Sequence, residues 1–188
     1  MIIPDRKNFF ESARATLFNN NMSQSQVEGV NSILDAWETY AEGIDPRWIA
    51  YSLATTYHET MRTMQPVKEI GGGAGRPYGQ VDRQTQQAYY GRGYVQLTWR
   101  VNYARMASVV GADLVNHPDL ALHPAISAKI LTEGMSRGLF TGKKLQEFFF
   151  GTRSDWIDAR AIINGTDRAA LVAGYALHWY SAMTEKDL

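Results

Sequence analysis

Two glutamates stand ten residues apart in the stretch YHETMRTMQPVKEIGGGAG, residues 57–75. Glu59 falls within a helical pattern and Glu69 lies beyond Pro66, just ahead of a run of glycines. Two carboxylates facing each other across a cleft form the residue set that general acid–base chemistry uses. Two solvated surface glutamates are the plain alternative. On a helical wheel Ile49, Leu53, Tyr57, Met61 and Met64 make one apolar stripe, which predicts a helix from Pro46 to about Met64, stopped by Pro66. Glu59 falls outside the stripe, beside Trp48, Ser52 and Thr63, where a carboxyl can be partly desolvated and still meet a ligand. Glu69 precedes GGGAGRPYG, which reads either as plain loop or as a mobile cover over a cleft.

A third feature is YYGRGYVQLTW, residues 89–99. Its alternation predicts a short strand with Val95, Leu97 and Trp99 on an apolar face and Tyr94, Gln96 and Thr98 on a polar one. A phenol, an amide and a hydroxyl in a row suit hydrogen bonding to a sugar or a water, although an ordinary edge strand has the same pattern. Other chemistries find less support. His58 and Glu59 begin a zinc-helix motif, but position 62 is Arg, and the four histidines share no ligand spacing. The glycine run lacks the Gly-Lys-Ser/Thr ending of a phosphate loop, and no serine sits in a Gly-x-Ser-x-Gly turn. No metal or cofactor is expected. Two glutamates, a polar strand and many aromatics suit hydrolysis of a glycosidic bond.

The elements that must position these groups are mostly helices. Apolar spacing predicts one over Asp5–Phe18. A second starts at Ser23, with Gln26 in capping-box register, and ends by Gly43. Asp45 and Pro46 open the third. Further helices are expected from Asn102 to Gly111, from Pro124 through Ser136, after GLFTGKKL to about Asn164, and from Thr166 to the C-terminus with Asp167 in its first turn. The expected fold is mainly α: a single domain over residues 1–188, with one short β element and no separate binding module.

The composition of the 188 residues is 45% hydrophobic and 12% aromatic, enough for one core. Lys plus Arg and Asp plus Glu are 19 each, so no overall charge draws the chain to nucleic acid. Cysteine is absent, which excludes disulfides and thiolate catalysis and suits a reducing compartment. The start, MIIPDRKNFF, is unlike a signal peptide, and no segment has the length to span a bilayer. A monomer without membrane insertion is expected.

The motifs HET (58–60), YYGRGYVQLTWRVNY (89–103) and IING (162–165) together resemble glycoside hydrolase family 19, the chitinase-type, lysozyme-like group. LFNNNMSQSQVEGVNSILDAWE (17–38) further resembles the phage-type endolysins of that family. The resemblance implies that Glu59 is the general acid and Glu69 the general base of an inverting reaction. It implies that Thr98 and Gln96 position the water and substrate, that Asn102 binds sugar and that Asn164 lines the cleft. Tyr94, on the polar face, joins the substrate-binding set. Arg92 of the GRG motif is expected there too, in a structural role or paired with a catalytic carboxylate. The implied substrate is peptidoglycan, cut between N-acetylmuramic acid and N-acetylglucosamine as by a lysozyme. Such an enzyme is made in the host cytoplasm and reaches the periplasm through a separate membrane-permeabilising protein, causing lysis. A chitinase is the alternative, and a non-catalytic cell-wall-binding domain a second one.

Overall fold

The structure, a computed structural model, describes residues 5–39 and 44–184. Short-range signals start the first three helices. In α1 (Arg6–Leu17) the Asp5 carboxylate accepts from the Asn8 backbone N–H at 3.0 Å, and Phe9, Ala13 and Leu17 turn inward. In α2 (Gln24–Glu38) Ser23 and Gln26 form the capping box. Gly43, the expected end of that helix, lies outside the described residues. In α3 (Pro46–Glu59) Asp45 caps the Arg47 N–H and Pro46 takes the first turn, where its missing N–H costs nothing.

Helix α3 is the axis of the molecule. All nine residues from Ile49 to Tyr57 are buried, so it has no solvent face over that length. The single apolar stripe expected of it is corrected accordingly: Ser52, Thr55 and Thr56 are as deeply buried as the aliphatic positions. Helix α3 packs most extensively on α7 (Ala169–Thr184), whose small Ala173 and Ala176 allow close approach. On α7, Trp179 meets the rings of Phe9, Phe18 and Tyr57 at 5.7, 6.0 and 6.4 Å. On the other side α2 packs on α5 (Pro124–Arg137), which also touches α4 (Arg100–Val110). One continuous apolar core joins these helices.

Helix α3 stops at Glu59, five residues short of the expected Met64. The stop is a Schellman motif: the Arg62 N–H donates to Tyr57 O at 2.8 Å and the Met61 N–H to His58 O at 3.2 Å. Met61 occupies the left-handed position with φ 51°. That position is normally glycine, so the methionine hides the helix end behind an unbroken apolar spacing. The chain then lies against α2, where a Cβ on Gly29 would be 1.6 Å from Met64 O. Because the Met61 side chain is 61% exposed, Met61→Gly loses little packing and relieves the left-handed strain. It should stabilise the protein by about 1 kcal/mol, read as a rise of roughly 2–4 °C in the melting midpoint.

Among the described residues two small antiparallel sheets complete the fold. β1 (Val67–Lys68) pairs with β2 (Arg92–Gly93), Val67 opposite Gly93 and Lys68 opposite Arg92. The strand expected over residues 94–99 does not form. After β2 the chain turns at once, and Leu97 bridges back to Arg92. Gln96 and Trp99 take φ of 52° and 71°, so alternation of polarity here does not reflect alternation along a strand. The helix expected after residue 145 is also shorter. α6 covers Leu145–Phe148, followed by the hairpin of β3 (Phe149–Phe150) and β4 (Arg153–Ser154) and a 3-10 turn over Asp158–Ile162. Asp167 precedes α7 rather than lying in its first turn, and residues beyond Thr184 are outside the description.

Candidate active site

Because α3 ends at Glu59, that carboxylate sits at the tip of the most buried helix rather than partway along it. Its Oε1 lies 2.8 Å from Nη2 of Arg160, a side chain 1% exposed against 18% for that of Glu59. Arg160 Nε donates to Asp167 O at 2.9 Å, and Arg160 O accepts from the Asn164 N–H at 3.0 Å. A rigid helix end and a buried guanidinium thus fix Glu59, and the same arginine carries the turn that presents the exposed Asn164. Arg160 lies four residues ahead of Asn164, and sequence reasoning passed over it. Its distance along the chain from Glu59 left no local pattern to connect them.

His58, beside Glu59, is half-buried, and burial pulls its pKa down from the ordinary 6.5, with Glu59 opposing and Arg160 adding to the shift. An imidazole with a lowered folded value is neutral in the fold but takes a proton in the unfolded chain once pH drops below about 6.5. Its contribution to stability is therefore present above that pH and lost as pH falls through the folded value. Melting midpoints recorded from pH 7.5 to 5 should fall more steeply for the wild type than for His58→Gln.

Glu69 is held by a different set of contacts. It follows β1, and its backbone N–H donates to Gly91 O at 2.7 Å, an extension of the β1–β2 pairing. Oε2 accepts from the Gly91 N–H and Oε1 from the Tyr78 hydroxyl, each at 2.9 Å. A carboxylate accepts at both oxygens and keeps lone pairs for a water. The glycine run gives Tyr78 its place through close backbone approach: a Cβ on Gly79 would be 2.0 Å from Gly73 O. The loop is folded into 3-10 turns at 70–73 and 77–79. Gln96 joins this group. Its Nε2 donates to Val67 O at 3.0 Å and Gly93 O at 3.1 Å, leaving Oε1 facing Gly91. A Cβ on Gly91 would be 2.7 Å from that Oε1 and 3.3 Å from Glu69 Oε2, so the amide and carboxylate converge over one glycine. Thr98, two residues along the chain from Gln96, is half-buried, and its carbonyl accepts from Asn102 Nδ2 at 2.9 Å.

Two expected site residues lie elsewhere. Tyr94 is fully buried, its N–H donating to Ser127 Oγ, and burial pushes its phenol up to about 12. The turn that replaces the strand points it into the core, so it cannot meet a substrate. Arg92 is 4% exposed and bonds Asp119 at 2.7 Å, the carbonyls of Ala88 and Tyr90, and the Tyr103 hydroxyl, with the Tyr90 ring 3.7 Å away. It ties residues 88–92 to α4 and to Asp119, and its carboxylate partner is neither Glu59 nor Glu69. Among the described residues no three His, Asp or Glu converge as metal ligands, and no helix is long and apolar enough to cross a membrane.

The family described as chitinase class I, glycoside hydrolase family 19, matches residues 47–132, which include Glu59, Glu69, Gln96, Thr98 and Asn102. Over that stretch the chain is similar to glycoside hydrolase family 19. A cacao (Theobroma cacao) protein named endochitinase 1 is 52% identical over 42 residues, 22% of this chain and 13% of that protein. An endochitinase A2 of pea (Pisum sativum) is 50% identical over a stretch that also covers 22% and 13%. The chain thus aligns with about an eighth of the length of these two curated relatives. Among solved structures, a class IV family 19 chitinase from Zea mays superposes with a TM-score of 0.61 at 18% identity, covering 95% of this chain and 91% of that one. A bacterial family 19 chitinase gives 0.60 at 18%, covering 99% and 97%. At such identities the likeness concerns the fold alone, a mainly α one.

Proposed function

We propose that this chain is a family 19 glycoside hydrolase that cleaves β-1,4 bonds in polymers of N-acetylhexosamine with inversion at the anomeric carbon. The observation that carries the proposal is the pair of partly exposed carboxylates within residues 47–132, each held by its own partners. Glu59, fixed on a rigid element, protonates the leaving glycosidic oxygen. Glu69 removes a proton from a water that attacks from the opposite face of the sugar. Gln96 Oε1 and the Thr98 hydroxyl orient that water, while Asn102 and Asn164 contact the sugar. Inversion needs the carboxyl groups roughly 6.5–9.5 Å apart, so that one water fits between.

Chitin, a polymer of N-acetylglucosamine alone, is the substrate the comparisons favour, because the relatives and structural neighbours are named chitinases. Peptidoglycan is the second reading, supported by the resemblance of residues 17–38, outside the family match, to phage-type endolysins. On that reading the enzyme would act in the periplasm after a separate protein has permeabilised the membrane. Parallel digests of chitin oligomers and purified Gram-negative peptidoglycan, reduced with borohydride and analysed by mass spectrometry, test both. Shortened chitin oligomers from the wild type support the first reading. Muropeptides with reduced muramic acid ends support the second. Binding to either polymer with no product would mean a wall-binding domain and would overturn the proposal.

A further inference from the structure

Trp99 has a conformation and an environment that the fold itself does not require. Its φ of 71° lies in the left-handed region, costly for a bulky side chain and typical of positions under functional constraint. It occupies the N-cap of α4, where it makes no side-chain cap. Its backbone is nonetheless anchored, the N–H donating to Tyr89 O and the carbonyl accepting from the Asn102 and Tyr103 N–H groups. The indole is 46% exposed, whereas Trp37 and Trp179 are fully buried and Trp48 and Trp156 pack against the core.

The exposed ring is one residue away from the candidate base. Trp99 meets Tyr78 edge to face, with centroids 5.4 Å apart, and the Tyr78 hydroxyl donates to Glu69 Oε1 at 2.9 Å. Burial, and then the contact with Glu69, raise the Tyr78 pKa, so the phenol keeps the proton it donates. A rigid, partly exposed indole beside a carboxylate suits a pyranose whose axial C–H groups form an apolar face. β-1,4-linked N-acetylhexosamines, with equatorial substituents, present such faces.

We propose that Trp99 is a stacking platform for one sugar ring of the bound polymer, and that Tyr78 couples the occupied platform to the orientation of Glu69. The inference rests on the proposed polysaccharide reaction. Trp99 sets sugar affinity, and Tyr78 is a positioning residue for Glu69. The apolar face of the ring covers the indole, and the Tyr78 ring, packed against it, keeps its hydroxyl on Oε1.

The test starts from Glu59→Gln protein, which should bind with turnover slowed about 10²–10⁴-fold, titrated with chitin tetrasaccharide and followed by calorimetry and tryptophan fluorescence. A blue shift is expected as the exposed indole leaves water. Adding Trp99→Phe should abolish the shift with affinity kept within a few-fold. Adding Trp99→Ala should weaken binding about tenfold, with far-ultraviolet circular dichroism confirming the fold. In the active background, Tyr78→Phe should lower kcat about tenfold with KM little changed. Calorimetric binding with no shift, and equal affinity in Trp99→Ala, would overturn the platform and leave the hydrolase reading standing. A Tyr78→Phe enzyme with unchanged kcat would overturn the coupling. If neither the tetrasaccharide nor peptidoglycan glycan fragments bind at all, the hydrolase reading fails and this inference fails with it.

Discussion

Glu59→Gln should lower turnover of the preferred polymer by about 10²–10⁴-fold, the range over which a positioned proton donor contributes to a hydrolytic rate. The substitution keeps the shape and an acceptor oxygen but removes the transferable proton. The Gln carbonyl can still accept from Arg160 Nη2, now 2.8 Å from the carboxylate, so the helix end should keep its form. What is lost is the opposite charge beside a guanidinium that is 1% exposed. A fall in stability of about 1–2 kcal/mol is therefore expected as well. At this chain length that corresponds to a midpoint lower by roughly 2–8 °C, well short of unfolding at assay temperature. Rates measured beside a melting curve separate the two effects. A variant that melts normally but retains more than a tenth of wild-type kcat would show that the proton comes from another group.

Arg160→Met is expected to affect both quantities strongly. The methionine fills much of the arginine's volume but donates nothing. Glu59 loses its charge partner and Asp167 O loses the 2.9 Å bond from Nε. Removing one member of a buried ion pair costs several kcal/mol when the remaining charge has no access to water. The Glu59 side chain is 18% exposed, so water can hydrate part of it, and a cost of about 1–3 kcal/mol is expected. One feature reduces this penalty: Nη1 of Arg160 is buried without a partner, and methionine removes that unsatisfied donor. Activity should fall further than stability, by about 10²-fold, because a small displacement of a reacting group is enough to lose that factor. The asparagine turn loosens too, because the Nε bond that held Asp167 O, three residues beyond Asn164, is gone. Chemical denaturation and steady-state kinetics on the same preparation check both expectations. A variant with unchanged kcat would leave Arg160 as a purely structural residue.

Features set by short-range contacts were legible in the sequence. The Ser23–Gln26 capping box and the Asp45–Pro46 helix start depend on neighbours within three residues, and both occur as read. The end of α3 was not legible, because a methionine rather than a glycine holds the left-handed position and the apolar spacing runs on through Met64. In the 94–99 segment, polarity alternates without a strand to enforce it. That carried Tyr94 to the wrong side and placed Trp99 on an inner face when it is exposed. Arg92 has the structural one of its two expected roles rather than a place on the substrate, and its carboxylate partner Asp119 approaches from a 3-10 turn 27 residues on, beyond the reach of a local motif. Both glutamates, Gln96, Thr98 and Asn102 stood inside recognisable motifs. Their partners Arg160 and Tyr78 did not. The first reaches Glu59 only through tertiary packing, and the second is brought to Glu69 by the fold of the glycine loop.

The central claim is that two carboxylates act in a single displacement, one as acid and one as base. Its most direct test is the anomeric form of the first product, followed by proton nuclear magnetic resonance while the wild type cleaves whichever polymer the digests select. The account predicts that the α-anomer appears first from the β-linked substrate, with the β-anomer rising only as mutarotation proceeds. Initial release of the β-anomer would contradict it, because retention requires a second displacement, by an enzyme carboxylate or by the substrate's own acetamido group.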